Sequence, residues 1–479
     1  MGSFKQPGFA RQRRFSLQDQ YAFATLSGDQ NPIHVDCVTA RRLLFGEPVA
    51  HGVHLILWSL EELFSGIQGL FRLERISAVF CKPARLGRCI RLDVRDSKVG
   101  RLKLVLHDED EELLRLSLDF AQDRGQREIV RPAYHSFRRD TPAVPSTFQL
   151  SGAVSLGCDG ALLEAMFPQA ARVLPLQQIH ALLAATYVVG MEAPGLNSLF
   201  TELDLSFQSN PVGNSLSYST SRFDERFSLL TLTLSGPGFK GSARALIRPS
   251  PVLQPCVASL RKRVLPLEFS SQRALVVGGS RGLGEVAAKL LAIGGAATFL
   301  TYRHGRTDVD RSVNDITGHG FSAAAGRFDC CDLDIADVET IRDWQPTHLY
   351  FFASPFIQTG QPSGFSQELF ARFTAFYVKG LYDTVAAFSS TLQAIFCPSS
   401  IYVTTMPPKM VEYTTAKAAA EFLCHQLSQV GDRPLLCSTP RLPRLETDQT
   451  ARISNPDHAD TAAVLLGALR DFCKSEASA

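Results

Sequence analysis

The 479-residue chain carries two groups of residues whose types and spacing suit proton chemistry. The first lies in FATLSGDQNPIHVD (23–36) and ARRLLFGEPVAHGVH (40–54). SGDQNP is turn chemistry: Gly28 permits an unusual φ, and Asp29 and Asn31 can bond their own backbone. The turn brings Asp29 and His34 close together. A carboxylate and an imidazole held side by side can position a water and move its proton both ways near neutral pH. Pro48 and Gly52 bracket the start of an apolar helix. Unpaired N–H groups and the positive dipole end at such a start suit a carbonyl oxygen that must be polarised. By residue type alone, Asp29 also suits a turn cap and His34 an ordinary loop histidine.

The second group begins in RALVVGGSRGLGEVAAKLL (273–291), an apolar strand, a turn and a helix. Gly278, Gly282 and Gly284, with Ser280 and Arg281 between them, let backbone approach a pyrophosphate at a helix N-terminus. Further on, SSIYVTTMPPKMVEYTTAKAAAEFL (399–423) sets Tyr413 and Lys417 one helical turn apart. An ammonium there is expected to stabilise phenolate and lower the tyrosine's pKa. Ser400 is placed to hold a carbonyl oxygen beside that phenol. Arg303 follows the next strand, and with Arg281 it suits a 2′-phosphate. The alternative for both arginines is a solvated surface.

These residues need elements to position them. Pro-rich stretches at 131–146 and 248–266 read as linkers and divide the chain into domains over 1–130, 147–250 and 270–479. The first two repeat one pattern: a long apolar helix (51–66, then 176–195) followed by several antiparallel strands. A sheet wrapped round each helix would suit its apolar character. The second copy lacks the Asp…Asn-Pro-x-His loop, and its His180 reads as structural. The third domain alternates strand and helix, which implies a parallel sheet.

Composition narrows the classes. Apolar residues at 45% and charged residues at 20% exclude a disordered chain. A net charge of +2 gives no field for nucleic acid or an anionic membrane. No apolar run reaches the roughly 18 residues of a membrane span. The N-terminus lacks the apolar core of a secretion signal, so a cytoplasmic protein is expected. Its Arg11, Arg13 and Arg14 read as a solvated edge or a phosphate-binding patch. The 11 cysteines show no metal-ligand spacing and read as reduced thiols.

The first group resembles the MaoC-like, (R)-specific enoyl-CoA hydratase family. The matching elements are Ser27 to Asp29, Asn31 to His34, Asp36, Ala40, Phe45-Gly46 and Val49 to Gly52. The resemblance implies a hotdog fold with Asp29, Asn31 and His34 as catalytic residues. It also implies that a backbone N–H near Gly52 polarises the thioester carbonyl. The 147–250 segment would then complete a double hotdog in a supporting role. Residues 272–450 resemble the short-chain dehydrogenase/reductase family. That implies Tyr413 as proton donor, Lys417 on the ribose, and Ser400 on the substrate carbonyl. Gly278, Ser280, Arg281, Gly282, Gly284 and Arg303 would surround NADPH, with Asp334 (its rival is Asp332) at the adenine.

The chain departs from the second family at Phe351-Phe352-Ala353-Ser354, at Tyr377 in place of a catalytic Asn, and at Pro440-Arg441. Lys379 is a candidate substitute in the proton relay. The expected fold is thus an α+β double hotdog followed by an α/β Rossmann-type, doubly wound parallel sheet. The expected function is NADPH-dependent reduction of a 3-oxoacyl thioester plus dehydration/hydration between 3-hydroxyacyl and 2-enoyl thioesters. The carrier would be CoA or acyl carrier protein, in fatty-acid or polyketide synthesis, with a homo-oligomer expected. Two alternatives remain: an active hydratase with a non-catalytic nucleotide-binding domain, or a nucleotide-sensing scaffold for a carrier-protein assembly.

Overall fold

The computed structural model describes residues 8–43, 45–123, 139–144, 150–208, 213–360, 364–430, 435–450 and 459–477. Most of the expected first linker lies outside them. The described residues form two compact units, one up to Ser250 and one from Pro251.

The first unit begins with β1 (Ala10–Arg14) and the helices α1 (Leu17–Ser27), α2 (Pro32–Val35), α3 (Cys37–Ala40) and α4 (Gly52–Phe64). Strands β2 (Phe71–Phe80), β3 (Cys89–Lys98), β4 (Arg101–Asp108) and β5 (Glu111–Gln122) follow. Then come β6 (Ser151–Ser155), α5 (Gly160–Met166), α6 (Pro168–Val173) and α7 (Leu176–Tyr187), with a π-helical turn at Val188–Glu192. Strands β7 (Ser198–Phe207), β8 (Ser215–Asp224), β9 (Leu229–Gly236) and β10 (Phe239–Ile247) close it.

These strands make one antiparallel sheet in the order β1-β3-β4-β5-β2-β7-β10-β9-β8-β6. The order is palindromic about the β2–β7 pair, where Ser77 lies opposite Asp204. Each half sets one apolar helix, α4 or α7, before its first inner strand. Every residue of α4 from Val53 to Leu60 is buried, as befits a helix apolar on all sides. Upstream, a reciprocal Ser16–Asp19 capping box starts α1, and Gly28 ends it in the left-handed region at φ 76°. Both ends of the segment leading into the Asp29 turn are thereby fixed.

The second unit opens with α8 (Val257–Leu260), β11 (Arg273–Val277), α9 (Gly282–Ile293), β12 (Ala297–Tyr302), α10 (Arg306–Gly318) and β13 (Ala323–Arg327). It continues with α11 (Ile335–Asp343), β14 (His348–Phe351), α12 (Gln367–Thr374), a π-helical turn at Ala375–Gly380, and α13 (Leu381–Phe388). The last elements are β15 (Ala394–Phe396), β16 (Ser399–Ser400), α14 (Tyr402–Thr405), α15 (Val411–Leu427), β17 (Leu436–Ser438), β18 (Arg441–Leu442) and α16 (Thr461–Ala477). The parallel sheet runs β13-β12-β11-β14-β15-β17, so strand order reverses beside β11. That doubly wound arrangement opens a crevice at the carboxyl ends of β11 and β14.

The stretch 248–266, expected as a linker, is largely folded into this unit. Val257 and Leu260 of α8 are fully buried, and the Val257 N–H donates to Asp315 at 3.0 Å. Among the described residues no helix is long and apolar enough to cross a membrane.

Candidate functional sites

In the first unit, the loop between α1 and α2 places Asp29 and His34 on the wall of a cavity of about 240 Å³. Polar side-chain atoms of Asp29, His34 and His51 lie within 4.8 Å of one another. Asp29 is 1% exposed, accepting from Thr186 Oγ1 at 2.7 Å and from the Asn31 N–H at 3.2 Å. Burial outweighs these bonds and raises its carboxyl pKa to about 7. His34 has Nδ1 2.8 Å from Val49 O. A proton on that nitrogen leaves the Nε2 lone pair available. Burial lowers the His34 pKa to about 4, so the ring is a neutral base at pH 7.

His51 stacks on His34 at 3.8 Å between ring centroids. Its ring nitrogens face Gln20 Oε1 and Asp29 O, each at 3.0 Å. With both nitrogens and His34 Nδ1 already engaged, the cluster is built for proton transfer rather than for a metal ion. Asp329, Cys330 and Cys331 also cluster, with the carboxylate taken by Arg303.

Gly52 opens α4 at the cavity wall, and the preceding His51 gives the helix no side-chain cap. The first-turn N–H groups have no intrahelical acceptor and carry the positive end of the helix dipole. A β-carbon on Gly52 would lie 2.5 Å from Phe80 Cε1. A glycine is therefore required where backbone and ring meet.

Asn31, expected as catalytic, is turned away from the cavity. Its Oδ1 accepts from the Ile33 N–H and caps α2, while Nδ2 donates to Gly190 O (2.9 Å) and Gly195 O (3.0 Å). It clamps the Asp29–His34 loop to the second half of the sheet. That half also supplies cavity residues with no counterpart in the sequence motif: Thr186, Gly190 and Phe200. Thr186 lies in the last turn of α7 and Gly190 sits in the π-helical turn, a feature common at functional sites. A methyl on Gly190 would stand 2.1 Å from Asp29 Oδ1. Gly190→Ala is therefore expected to push the carboxylate aside and cut turnover at this cavity roughly a hundredfold, the cost of about 1 Å of misplacement. The check is steady-state rates beside thermal melts. Wild-type turnover would show that Asp29 need not hold its place.

In the second unit, the Gly-rich turn forms a cradle at the sheet crevice. A β-carbon on Gly278 would lie 2.8 Å from Ala353 N, and one on Gly284 2.3 Å from Gly278 O. Gly278 and Gly282 have φ of 80° and 59°. Arg281 is the N-cap of α9 and gives no side-chain cap, so first-turn N–H groups face the crevice; Ser280 is buried beside them. This bare backbone, which side chains would fill, fits a pyrophosphate.

The flanking residues are arranged differently from expectation. Arg303 Nε pairs with Asp329 Oδ2 at 2.6 Å, and Arg281 Nη1 lies 3.4 Å from Asp448 Oδ2. Asp334 is exposed and caps α11 through the N–H groups of Ala336 and Asp337, while Asp332 is exposed as well. The acid just past β13 is Asp329, only 7% exposed. Its signal in the sequence was the FDCC stretch directly after the strand.

Ser400, Tyr413 and Lys417 come together at the carboxyl end of the sheet. Tyr413 bonds to Ser400, yet burial raises its pKa to about 12, opposite to the expected lowering. Lys417 accounts for the difference: its Nζ donates to Pro398 O at 3.0 Å and sits 4.0 Å from the Tyr377 ring centroid. Tyr377 is fully buried in the π-helical turn, its hydroxyl 2.7 Å from Ser354 Oγ and its ring edge-on to Tyr413. Lys379 has no place in this group; it is exposed and paired with Asp383.

Residues 4–107 match the family model described as MaoC like domain. The first unit thus carries a MaoC-like domain, for which the family implies a hotdog fold. A short chain dehydrogenase from Burkholderia cenocepacia, in complex with NADP, is similar at 21% identity; the match covers 43% of this chain and 91% of that one, with a TM-score of 0.38. An alcohol dehydrogenase from the archaeon Thermococcus sibiricus, complexed with 5-hydroxy-NADP, is similar at 19% identity over 42% of this chain and 89% of that one, with a TM-score of 0.37. A dehydrogenase/reductase from Sinorhizobium meliloti is similar at 24% identity over 43% and 82%, with a TM-score of 0.34. No curated protein matches the chain.

Proposed function

We propose that the chain is a bifunctional enzyme of acyl thioester metabolism. Its first unit is a double hotdog that adds water to, or removes it from, a 2-enoyl/3-hydroxyacyl thioester. Its second unit reduces a 3-oxoacyl thioester with NADPH. The observation that carries the reading is the Asp29–His34 pair beside Gly52 on one cavity wall.

In hydration, neutral His34 accepts a proton from water at Nε2 while water oxygen bonds to the β-carbon. Asp29, holding its proton below about pH 7, delivers it to the α-carbon. The enolate oxygen formed between these events lies at the Gly52 end of α4, where the helix dipole stabilises it. Dehydration runs the same path backwards.

In the second unit, the cradle of Gly278, Ser280, Gly282 and Gly284 would hold the pyrophosphate. Arg281 and Arg303 would reach the 2′-phosphate on leaving Asp448 and Asp329. Bound NADPH supplies the hydride. Tyr413 donates the proton to the carbonyl oxygen, Ser400 orients that oxygen, and Lys417 serves the ribose. The two reactions are consecutive on one substrate, carried by CoA or acyl carrier protein in the cytoplasm, and joining them raises the local concentration of the intermediate. Homo-oligomers are expected. A second reading, an active hydratase with a nucleotide-binding but inert second unit, is favoured by Tyr377 and by the engagement of Lys417 with Pro398 O.

The test mixes the full chain with a short 2-enoyl-CoA and follows enoyl absorbance, with and without NADP⁺. Hydration followed by NADPH formation supports both sites. Hydration alone, with NADPH still bound, selects the second reading. Loss of neither signal's substrate, with CoA or a carrier protein, ends the proposal.

A further inference from the structure

Arg248 stands one residue past β10, and no ion pair involves it among the described residues. It is 2% exposed. Its Nε donates to Ser198 O at 3.1 Å and its Nη2 to Leu196 O at 2.9 Å, while Nη1 has no partner. A guanidinium buried without a carboxylate is costly. This one adjoins the candidate site: Ser198 lines the cavity, and Leu196 O also faces Asn31 Nδ2 at 3.4 Å. The residue that clamps the Asp29–His34 loop and the unpaired cation thus meet on one carbonyl.

We propose that Arg248, from the half without an Asp–His loop, is a charge-setting and positioning residue of the hydratase site, its fixed positive charge holding His34 in the neutral, proton-accepting form. The inference rests on the hydratase reading for its purpose, though not for its test. Asp29 on its own loop and His51 at the start of α4 lie directly against His34, and the charges of His54 on α4 and of Arg248 beyond β10 reach it through space. Burial keeps His51 and His54 neutral. Arg248 is the fixed cation of the set, since its pKa falls only to about 10. Protonating His34 would put a second positive charge beside it in a medium of low dielectric. Burial is the largest influence in this direction, and Arg248 adds to it.

Two substitutions separate charge from geometry. Arg248→Gln keeps donors for the Leu196 and Ser198 carbonyls and loses the charge; Arg248→Lys keeps the charge and loses the fork. The readout is the ring titration of His34 by NMR in the histidine-labelled full chain, assigned with His34→Asn. In the parent, His34 is expected to titrate well below the ordinary histidine range. In Arg248→Gln its midpoint is expected to rise, with the acid limb of the hydration pH profile moving up with it while KM holds. Arg248→Lys is expected to titrate like the parent. An unmoved His34 in Arg248→Gln, or a parent His34 that titrates in the ordinary range, overturns the proposal whatever the activity. Should Arg248→Gln not fold, the parent titration and the Lys variant decide: a midpoint raised in Arg248→Lys also overturns it. A His34 shift in a chain with no hydration activity supports the charge inference and instead removes the functional reading.

Discussion

Asp29→Asn and His34→Ala should each lower enoyl-thioester hydration by about 10³-fold or more, with little change in thermal stability or in NADPH binding. On the proposed mechanism each removes one of the two proton carriers of a single step, and paired carriers are not additive, so the double variant should lose little beyond either single one. The pH profile gives a sharper check. Hydration needs Asp29 protonated and His34 neutral. With His34 lowered to about 4 and Asp29 raised to about 7, that form prevails between those values. Turnover should rise with pH through the lower limb and fall through the upper one. Dehydration should show the same two limbs, because Asp29 carboxylate with His34 imidazolium contains the same number of protons. A profile flat from pH 5 to 9 would remove Asp29 as the acid.

The loop that makes this site was legible because its chemistry is local. Gly28, Asp29, Asn31 and His34 fall within seven positions, and the turn and cap roles of such residues follow from type. The partners that set its electrostatics were not legible. Thr186, Gly190 and Arg248 lie more than 150 residues downstream, in a half with no motif of its own, and the β2–β7 pairing and the packing of α1 and α4 on α7 bring that half to the loop. Asn31 misled for the same reason: its type suited catalysis, while its amide meets carbonyls of that distant half. In the second unit, strand–turn–helix periodicity placed the glycine cradle. The spacing of acids after β13 did not distinguish Asp334, a helix cap, from Asp329, the buried neighbour of Arg303. Tyr413 and Lys417 were correctly placed one turn apart, yet a spacing on one helix does not say which carbonyl the lysine meets across the core.

Tyr413→Phe should abolish carbonyl reduction, by about 10³-fold or more, while leaving NADPH fluorescence binding and enoyl hydration intact. The phenol bonds to Ser400, so the variant removes both a proton donor and a fixed hydrogen bond, at the point where a substrate oxygen would gain charge. Burial sets the direction in which this group works. With its pKa raised to about 12, Tyr413 keeps its proton across the physiological range, which suits the donor role proposed for it in reduction. The reverse reaction needs the phenolate. Oxidation of a 3-hydroxyacyl thioester by NADP⁺ should therefore accelerate about tenfold per pH unit between pH 8 and 10, while reduction stays level. Tyr377→Phe separates the neighbouring group. It keeps the aromatic face beneath the Lys417 ammonium and deletes the hydroxyl bonded to Ser354. Its loss should be smaller than that of Tyr413→Phe if the ring is what positions the lysine, and comparable if the hydroxyl carries the proton onward. Oxidation independent of pH above 8 would mean that Lys417, on binding of the dinucleotide, leaves Pro398 O and lowers the phenol after all. The burial seen here would then describe the resting site rather than the reacting one.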